Sequence, residues 1–154
     1  MSRSLSFVLA FVFCVITSAS AFAVIGESEK DFRARYAKAF LLSEETEPGK
    51  VPAGGDASLC FETSIDGKKE MWVSAVFKNG KVVMEEYNFF AGGKVCAIDR
   101  AVMPRVEAVL AENSGGKKWE ALRVPRTTHA WQSGDLSAMV KADDNRTLFV
   151  FGGQ

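Results

Sequence analysis

The chain has 154 residues, and its 19 Lys and Arg balance 19 Asp and Glu, so the formal net charge is zero. That balance excludes a global basic field of the kind that collects nucleic acid. The 12 Phe and three Trp, with only four Pro, exclude a largely disordered chain and are typical of a globular domain.

The N-terminus has the three parts of a secretory signal. Arg3 supplies the positive charge and Leu5–Ile16 is an almost continuous apolar run. Ala21 and Ala23 are small residues at the −3 and −1 positions of a cleavage site before Val24, and cleavage after Ala21 is the alternative. We predict that residues 1–23 are a signal peptide and that residues 24–154 form one domain, exported to the periplasm or secreted. An uncleaved anchor is the competing interpretation, but the apolar run falls short of the roughly 20 residues that a spanning helix needs.

A helix is predicted directly after this signal. Ser28 and Asp31 form a variant of the capping box that begins helices. Apolar residues then follow at helical spacing, and we expect the helix to end near Leu42. The stripe consists of Phe32, Tyr36, Ala39 and Phe40. Residues 43–58, rich in Glu, Pro and Gly, are predicted to be a flexible loop.

Four strands with strong turn signals are predicted next. Asn79-Gly80 is the strongest hairpin signal that a short sequence offers. A two-residue turn there sets Phe77 opposite Val82 and Ala75 opposite Met84. The predicted strands are Leu59–Ile65, Met71–Lys78, Lys81–Ala91 and Lys94–Asp99.

This register divides the hairpin into two faces. The predicted core face carries Met71, Val73, Ala75, Phe77, Val82, Met84 and Phe90. The other face is predicted to be half-solvated and aromatic, and it carries Trp72, Ser74, Val76, Val83, Glu85, Tyr87 and Phe89.

The second half of the chain repeats the order of a helix followed by strands. An apolar stripe from Val102 to Leu110 predicts a helix, which Asn113–Gly116 stops. The strands that follow are predicted at Trp119–Val124, around Ala130–Trp131, at Leu136–Ala142 and at Thr147–Phe151. We predict an α+β fold in which both helices pack on one face of an antiparallel sheet, with a degenerate helix–strands duplication.

Cys60 and Cys96 are the cysteines that remain after signal cleavage. A simple meander places them three strands apart, roughly 14 Å, whereas a disulfide needs Cα atoms within about 7 Å. The predicted register also puts them on opposite faces. An oxidising compartment favours a bridge, so a Cys60–Cys96 disulfide stays open at this point.

Catalytic and metal-binding patterns are weak in this sequence. His129 is the single histidine, and Ser133, Asp135 and Ser137 lie near it, which makes a hydrolase the least favoured of three hypotheses. With no CxxC and no HExxH, we predict no metal site, no cofactor and no catalytic residue.

Several segments carry a resemblance to known families. They are Gly26–Glu29 with Arg35-Tyr36, the turn Asn79–Lys81, and Leu110 with Asn113–Gly116 and Trp119. The chain resembles an uncharacterised family of small exported bacterial proteins. More faintly it resembles the lipoprotein of the outer-membrane β-barrel assembly machinery and the β-lactamase-inhibitor-protein fold, which implies helices on an antiparallel sheet and a protein-binding role. It departs from the assembly lipoprotein in lacking a lipoprotein cysteine and in having Ala37-Lys38 after its aromatic residue.

The favoured hypothesis is therefore a non-enzymatic, exported domain that binds a protein or an envelope component. Trp72, Tyr87 and Phe89 on the aromatic face are the predicted contact residues. The alternative is a small-ligand module with an enclosed apolar pocket. Its predicted lining is Met71, Val73, Phe77 and Met84.

Overall fold

A computed structural model describes residues 25–152, so the predicted signal peptide lies outside the described residues. The described chain is a sheet-rich α+β fold with two helices and a large antiparallel sheet of nine strands. The helices are α1 (Glu29–Arg35) and α2 (Met103–Asn113). The strands are β1 (Phe40–Glu45), β2 (Ala57–Ile65), β3 (Lys68–Lys78), β4 (Lys81–Ala91), β5 (Lys94–Val95), β6 (Glu120–Leu122), β7 (Thr127–Ser133), β8 (Leu136–Lys141) and β9 (Thr147–Gly152).

The sheet joins two four-stranded meanders. Its strand order is β1-β2-β3-β4-β9-β8-β7-β6, and β5 adds a short pairing to β4. All of these pairings are antiparallel, and the two meanders meet where β4 pairs with β9. The sheet does not close into a barrel, so β1 and β6 are its two edge strands.

Both α-helices contact the same face of the sheet, called the helix face below, whereas the short 3-10 turn Pro52–Gly54 lies beside β3, and Gly55 directly after it packs against Val76 on the other face. The Phe32 ring of α1 lies 5.9 Å from that of Phe61, and Asn113 of α2 donates a hydrogen bond to the Tyr87 hydroxyl at 3.2 Å. Phe61, Val73 and Tyr87 are directly opposite one another on β2, β3 and β4. Residues that pair across strands share a face, so the helices cover one side and leave the other, the open face, without an α-helix.

The β3–β4 hairpin follows the predicted register for only two residue pairs. Lys78 opposes Lys81 and Phe77 opposes Val82, but a bulge then inserts Val83 without a partner. Ala75 therefore pairs with Glu85 instead of Met84. Because a shift of one residue turns every later side chain to the other face, the predicted faces of β4 are wrong beyond Val82.

Beyond Val82, each side chain of β4 therefore lies on the face of the sheet opposite to the predicted one. Glu85, Tyr87 and Phe89 lie on the helix face, where they are at most 1% exposed. Met84 and Phe90, predicted for the core, lie on the open face opposite Phe151 and against Trp72. The β3 half of the prediction is confirmed, since Val73, Ala75 and Phe77 are buried in the core.

The first helix is shorter than predicted. It ends at Arg35, and the chain then enters β1, where Phe40 opposes Glu62 of β2. Strand pairing outweighs the helical spacing here, and Phe40 is left 70% exposed instead of joining the core. The predicted loop over 43–58 is also shorter, because β1 continues to Glu45, β2 begins at Ala57 and Val51 between them is buried.

The remaining elements follow the predicted order with changed bounds. The stripe of α2 is confirmed, since Val106, Val109 and Leu110 are buried. The Asp99 side chain accepts hydrogen bonds from the backbone N–H groups of Ala101 and Val102 just before that helix. The fourth predicted strand shrinks to the two residues of β5, because the chain must turn there toward α2.

Candidate functional site

A buried polar cluster lies between the helices and the sheet. Its centre is Glu85, which points into the core because of the bulge at Val83 and is 0% exposed. Arg35, the last residue of α1, donates one hydrogen bond to Glu85 at 2.9 Å and another to Glu27. The Tyr87 hydroxyl donates to the second oxygen of Glu85 and accepts from Asn113 at 3.2 Å. The cluster therefore connects α1, β4 and α2.

Aromatic rings enclose the cation of this cluster. The Arg35 guanidinium carbon lies 4.6 Å from the centre of the Tyr36 ring and 5.1 Å from that of Phe32. Arg35 also donates to the Tyr36 hydroxyl at 3.1 Å. A guanidinium over aromatic faces is attracted to the negative π-density, so the rings replace part of the water that Arg35 has lost.

Burial dominates the protonation behaviour of the cluster. Loss of water raises the pKa of Glu85 to about 7, although Arg35 and the Tyr87 hydroxyl pull it down. Burial also raises the pKa of Glu27 and carries the pKa of Tyr87 well above its usual value. Burial alone would lower the pKa of Arg35, but the neighbouring Glu85, Glu27 and two tyrosine hydroxyls together outweigh burial and raise that pKa above its usual value.

The chemistry open to this cluster is structural. Glu85 and Tyr87 are fully buried, so a substrate atom has no path to either group in this arrangement. A general base must come within hydrogen-bond distance of the proton that it removes. The cluster therefore serves to hold both helices on the sheet. The sequence signal for it, a glutamate two residues before a tyrosine, becomes readable only once the bulge is known.

The open face of the sheet presents a different kind of surface. Met84 lies opposite Phe151, and Phe149 lies opposite Met139, so these side chains share the side that carries no α-helix. All four are partly exposed. Lys141 lies over the Phe149 ring with its Nζ 5.0 Å from the ring centre. This surface joins soft, adaptable methionines to aromatic rings, a combination found at protein contact surfaces.

Trp72 occupies the same open face and is partly exposed, as predicted. Its indole Nε1 donates to Glu62 at 3.0 Å, and its ring meets the Phe90 ring edge-on at 5.0 Å. Lys69 donates to the same Glu62 carboxylate at 2.7 Å, and these two donors hold the pKa of Glu62 below its usual value. The indole is thus fixed in orientation by contacts within the chain.

The other two predicted contact residues are not on a surface. Tyr87 is 0% exposed and Phe89 is 1% exposed, both on the helix face. Their placement on a half-solvated face is wrong, because the bulge moved them by one position. The structure therefore separates Trp72 from Tyr87 and Phe89, and it brings Met84, Met139, Phe149 and Phe151 to the open face instead.

The hydrolase hypothesis depended on His129. Its ring is exposed and stacks on the Trp131 ring at 5.7 Å. Ser133 is buried and lies four residues along the same strand, about 13 Å away at 3.3 Å per residue. Ser137 pairs with Gln132, whose side chain points to the opposite face from Trp131. The strand geometry thus brings neither serine within hydrogen-bond distance of His129.

Cys60 and Cys96 are both free thiols, each partly buried. Cys60 lies on the open face opposite Ser74, and burial raises the pKa of its thiol. Cys96 packs against the core and donates to the Phe89 carbonyl at 3.3 Å. They occupy opposite faces of the sheet, as the meander predicted, and the disulfide is not formed in this structure.

The enclosed apolar pocket predicted between sheet and helices is filled with side chains. Val73 and Phe77 are at most 1% exposed and belong to the packed core. A groove of about 540 Å³ lies elsewhere, at the end of the β3–β4 hairpin, and Met84 is the one predicted lining residue that reaches it. Its other apolar lining comes from Ile25, Ala53, Val82, Val83, Leu136 and Phe151.

Three charged residues stand at this groove in addition to its apolar walls. Lys78 and Lys81 flank the Asn79-Gly80 turn at one end, and Asp135 contributes from the turn before β8. Within residues 25–152, β9 pairs with β4 only as far as Met84, and the groove lies beyond this end of β9. The N-terminal segment takes its place, with Gly26 donating to the Val82 carbonyl at 2.7 Å.

Comparisons with known proteins place few limits on this architecture. No protein-family model matches the chain, and no curated protein matches it. A cysteine-rich secretory protein from Staphylococcus aureus is similar over 84% of this chain and 44% of its own length, at 12% identity and a TM-score of 0.39. The present chain thus spans less than half of that protein, and a likeness this distant supports no argument about function.

Two further features concern the part of the chain that the structure describes. Between residues 25 and 152, neither helix combines the length and the apolar content that crossing a bilayer requires. Over the same residues, no three His, Cys, Asp or Glu side chains gather in an arrangement that could hold a metal ion.

Proposed function

We propose that this protein is an exported, non-enzymatic domain that binds another protein through the open face of its sheet. The observation that carries the proposal is the partly exposed apolar surface on the side without an α-helix. Its large side chains are Trp72, Met84, Met139, Phe149 and Phe151. The resemblance to families that bind proteins with such a sheet agrees with this function, and the apolar N-terminus supports export.

The chemistry of the open face favours a protein segment as its partner. Methionine side chains adapt to irregular apolar surfaces, and tryptophan is among the residues that dominate binding energies. Trp72 loses little conformational freedom on binding, because Glu62 and Phe90 already hold its ring. Glu86 and Lys141 lie beside the apolar side chains and supply both charge signs for polar contacts.

Alanine variants of the open face test this proposal. The immobilised protein is incubated with envelope and secreted fractions from its own host, and retained proteins are quantified by mass spectrometry. We expect Trp72→Ala and Phe149→Ala each to reduce retention of the same protein by about tenfold or more, the loss of a binding hot spot. Ile65→Ala is the matched control, because Ile65 is 59% exposed at the far end of β2. Equal retention by all variants would reject the open face as the binding surface.

A second candidate function rests on the groove at the end of the β3–β4 hairpin. Its apolar walls and the cations of Lys78 and Lys81 suit an amphiphile with an acidic head group. A fluorescent long-chain fatty acid is the probe. Binding that is lost in Met84→Trp, which fills the groove, and weakened in Lys81→Glu would favour this function over protein binding.

The two halves of the chain support a degenerate duplication. Each half has one helix followed by a four-stranded meander, and the last strands of the halves, β4 and β9, pair with each other. The first strands, β1 and β6, are then equivalent edges. We infer that one helix–strands unit was copied and that its sequence diverged, with β5 as an addition to the first half.

A further inference from the structure

The exposed large apolar side chains of the described residues concentrate at the two edges of the sheet. There are six such residues, and five belong to the edge strands or lie within two residues of their ends. They are Phe40, Leu41 and Leu42 on β1, Leu122 at the end of β6, and Val124 two residues beyond it. An exposed apolar edge strand offers unpaired N–H and C=O groups together with side chains that gain from burial.

The strand directions allow one copy of the sheet to continue into the next. Eight strands alternate in direction from β1 to β6, so these two edges run in opposite directions. A second copy displaced along the sheet therefore brings its β1 antiparallel to β6 of the first copy. The added pair has the same hydrogen-bonding pattern as the pairs within the sheet, and the helices of both copies stay on one side.

When β1 of one copy runs antiparallel to β6 of another, the side chains of the two strands are complementary. The N-terminal end of β1 is apolar, and its C-terminal end leads into Glu44, Glu45 and Glu47. The edge at β6 has the reverse order, with Lys117 and Lys118 before the strand, Glu120 at its start and Leu122 at its end. Antiparallel pairing thus sets Phe40 against Leu122 and the acidic end against the two lysines, while Glu120 falls opposite Leu42, where β1 has its bulge.

We propose that β1 of one copy pairs antiparallel with β6 of another, so that the protein assembles head to tail into a chain of copies with one continuous sheet. Phe40 is the central contact, because it points to the open face and lies opposite Leu122, which points the same way. A concavity of about 330 Å³ beside Leu122, lined by Val124, Pro125 and Thr128 among others, receives the Phe40 ring.

Pairing of like edges is disfavoured by the same residues. Two β1 strands in antiparallel contact would set Phe40 of each against the acidic end of the other. Two β6 strands would set Lys117 and Lys118 against Leu122 and Val124. Each arrangement pairs charges with apolar side chains, and it would close into a dimer because both partners use the same surface.

Sedimentation velocity on the protein purified from its host tests the assembly. Between about 10 µM and about 1 mM, a range that detects weak contacts, we expect the average mass to rise continuously and to pass the dimer. Leu41→Lys blocks the β1 edge and Leu122→Lys blocks the β6 edge, so each variant alone should stay monomeric. Ala108→Lys, at an exposed position on α2 away from both edges, should assemble like the wild type. Circular dichroism verifies that each variant is folded.

Mixing the two blocked variants gives the decisive result. Leu41→Lys retains a free β6 edge and Leu122→Lys retains a free β1 edge, so an equal mixture should form a dimer of one copy of each and nothing larger. A dimer formed by either variant alone would mean that like edges pair and would overturn the proposal. A monomeric wild type at the highest concentration would overturn it as well. Neither edge variant alters Trp72 or Phe149, so failure here is distinguishable from failure of the open face.

Discussion

Arg35 at the end of α1 donates a 2.9 Å hydrogen bond to Glu85, a carboxyl group that is completely buried on β4. The two residues are 50 positions apart in the chain, so their contact ties the first helix to the centre of the sheet. Glu27 and Tyr87 supply the other polar contacts of the pair. Such a pair brings modest net stability, but each partner depends strongly on the other because neither can return to water.

Removal of the Arg35 cation should show how strongly the buried Glu85 depends on it. Arg35→Met keeps much of the side-chain volume but leaves Glu85 buried without a cation, and we expect a loss of about 3–5 kcal/mol in the free energy of unfolding at pH 8. Arg33→Met is the matched control on the same helix, because Arg33 pairs with Glu29 and Glu44 at the surface and should cost less than about 1 kcal/mol. Urea unfolding measures both. Similar losses in the two variants would contradict the special role of Arg35.

The raised pKa of Glu85 predicts that the protein loses stability as pH rises. The unfolded chain releases this proton near pH 4.5 and the folded chain near pH 7, so between these values the folded state holds more protons. The free energy of unfolding therefore falls through that window, by up to about 3 kcal/mol from this group. Burial of Glu27 acts in the same direction.

Glu85→Gln isolates that contribution. Glutamine resembles the protonated carboxyl group and cannot ionise, so the variant should lack this fall between pH 4.5 and pH 8. Unfolding curves at several pH values measure the difference. A variant with the same pH dependence as the wild type would show that Glu85 is not the responsible group.

The face assignment of β4 and β9 predicts unequal effects of the same substitution. Phe89 is 1% exposed on the helix face, and Phe89→Ala should cost about 3–5 kcal/mol. Phe149 is partly exposed on the open face, and Phe149→Ala should cost less than half as much because water already reaches its ring. Thermal unfolding of both variants compares them. A larger loss for Phe149→Ala than for Phe89→Ala would indicate that β4 has the predicted register without the bulge.

Gly55 lies where the segment before β2 packs closely on the open face. Its φ of −74° suits any residue, but an added Cβ would lie 2.9 Å from the Phe77 carbonyl oxygen and against Val76. We expect Gly55→Ala to cost about 1–3 kcal/mol through crowding. A Gly55→Ala, Val76→Ala double variant should recover part of that loss, as denaturant unfolding can show. No coupling between the two sites would mean that this segment lies away from β3.

The sequence predicted the order of the elements better than the direction of their side chains. Turn residues such as Asn79-Gly80 act locally, and the strand bounds Lys81–Ala91 are confirmed. A β-bulge has no comparable local signature, because Val83 has the same β-branched side chain as its paired neighbour Val82. One unpaired residue therefore turned Tyr87 and Phe89 from predicted contact residues into core residues.

The end of α1 shows a second limit. Phe32 and Tyr36 form the predicted stripe and pack in the core. Phe40 continues the same spacing, yet it lies in an edge strand, because pairing with β2 satisfies backbone groups over six residues. The helical spacing of apolar residues alone cannot show that pairing with a distant strand competes for the same residues. The Glu85 cluster was missed for the same reason, since its partners come together only in the folded sheet.

Site-specific photo-crosslinking in the host shows whether the open face contacts a protein partner. A photoreactive phenylalanine analogue replaces Phe149 on the open face or, as the control, Glu107 on the exposed side of α2. Binding through the open face predicts one dominant protein adduct at position 149, suppressed when Trp72→Ala is added, and no such adduct at position 107. The same adduct at both positions, or an adduct only at position 107, would contradict binding through the open face.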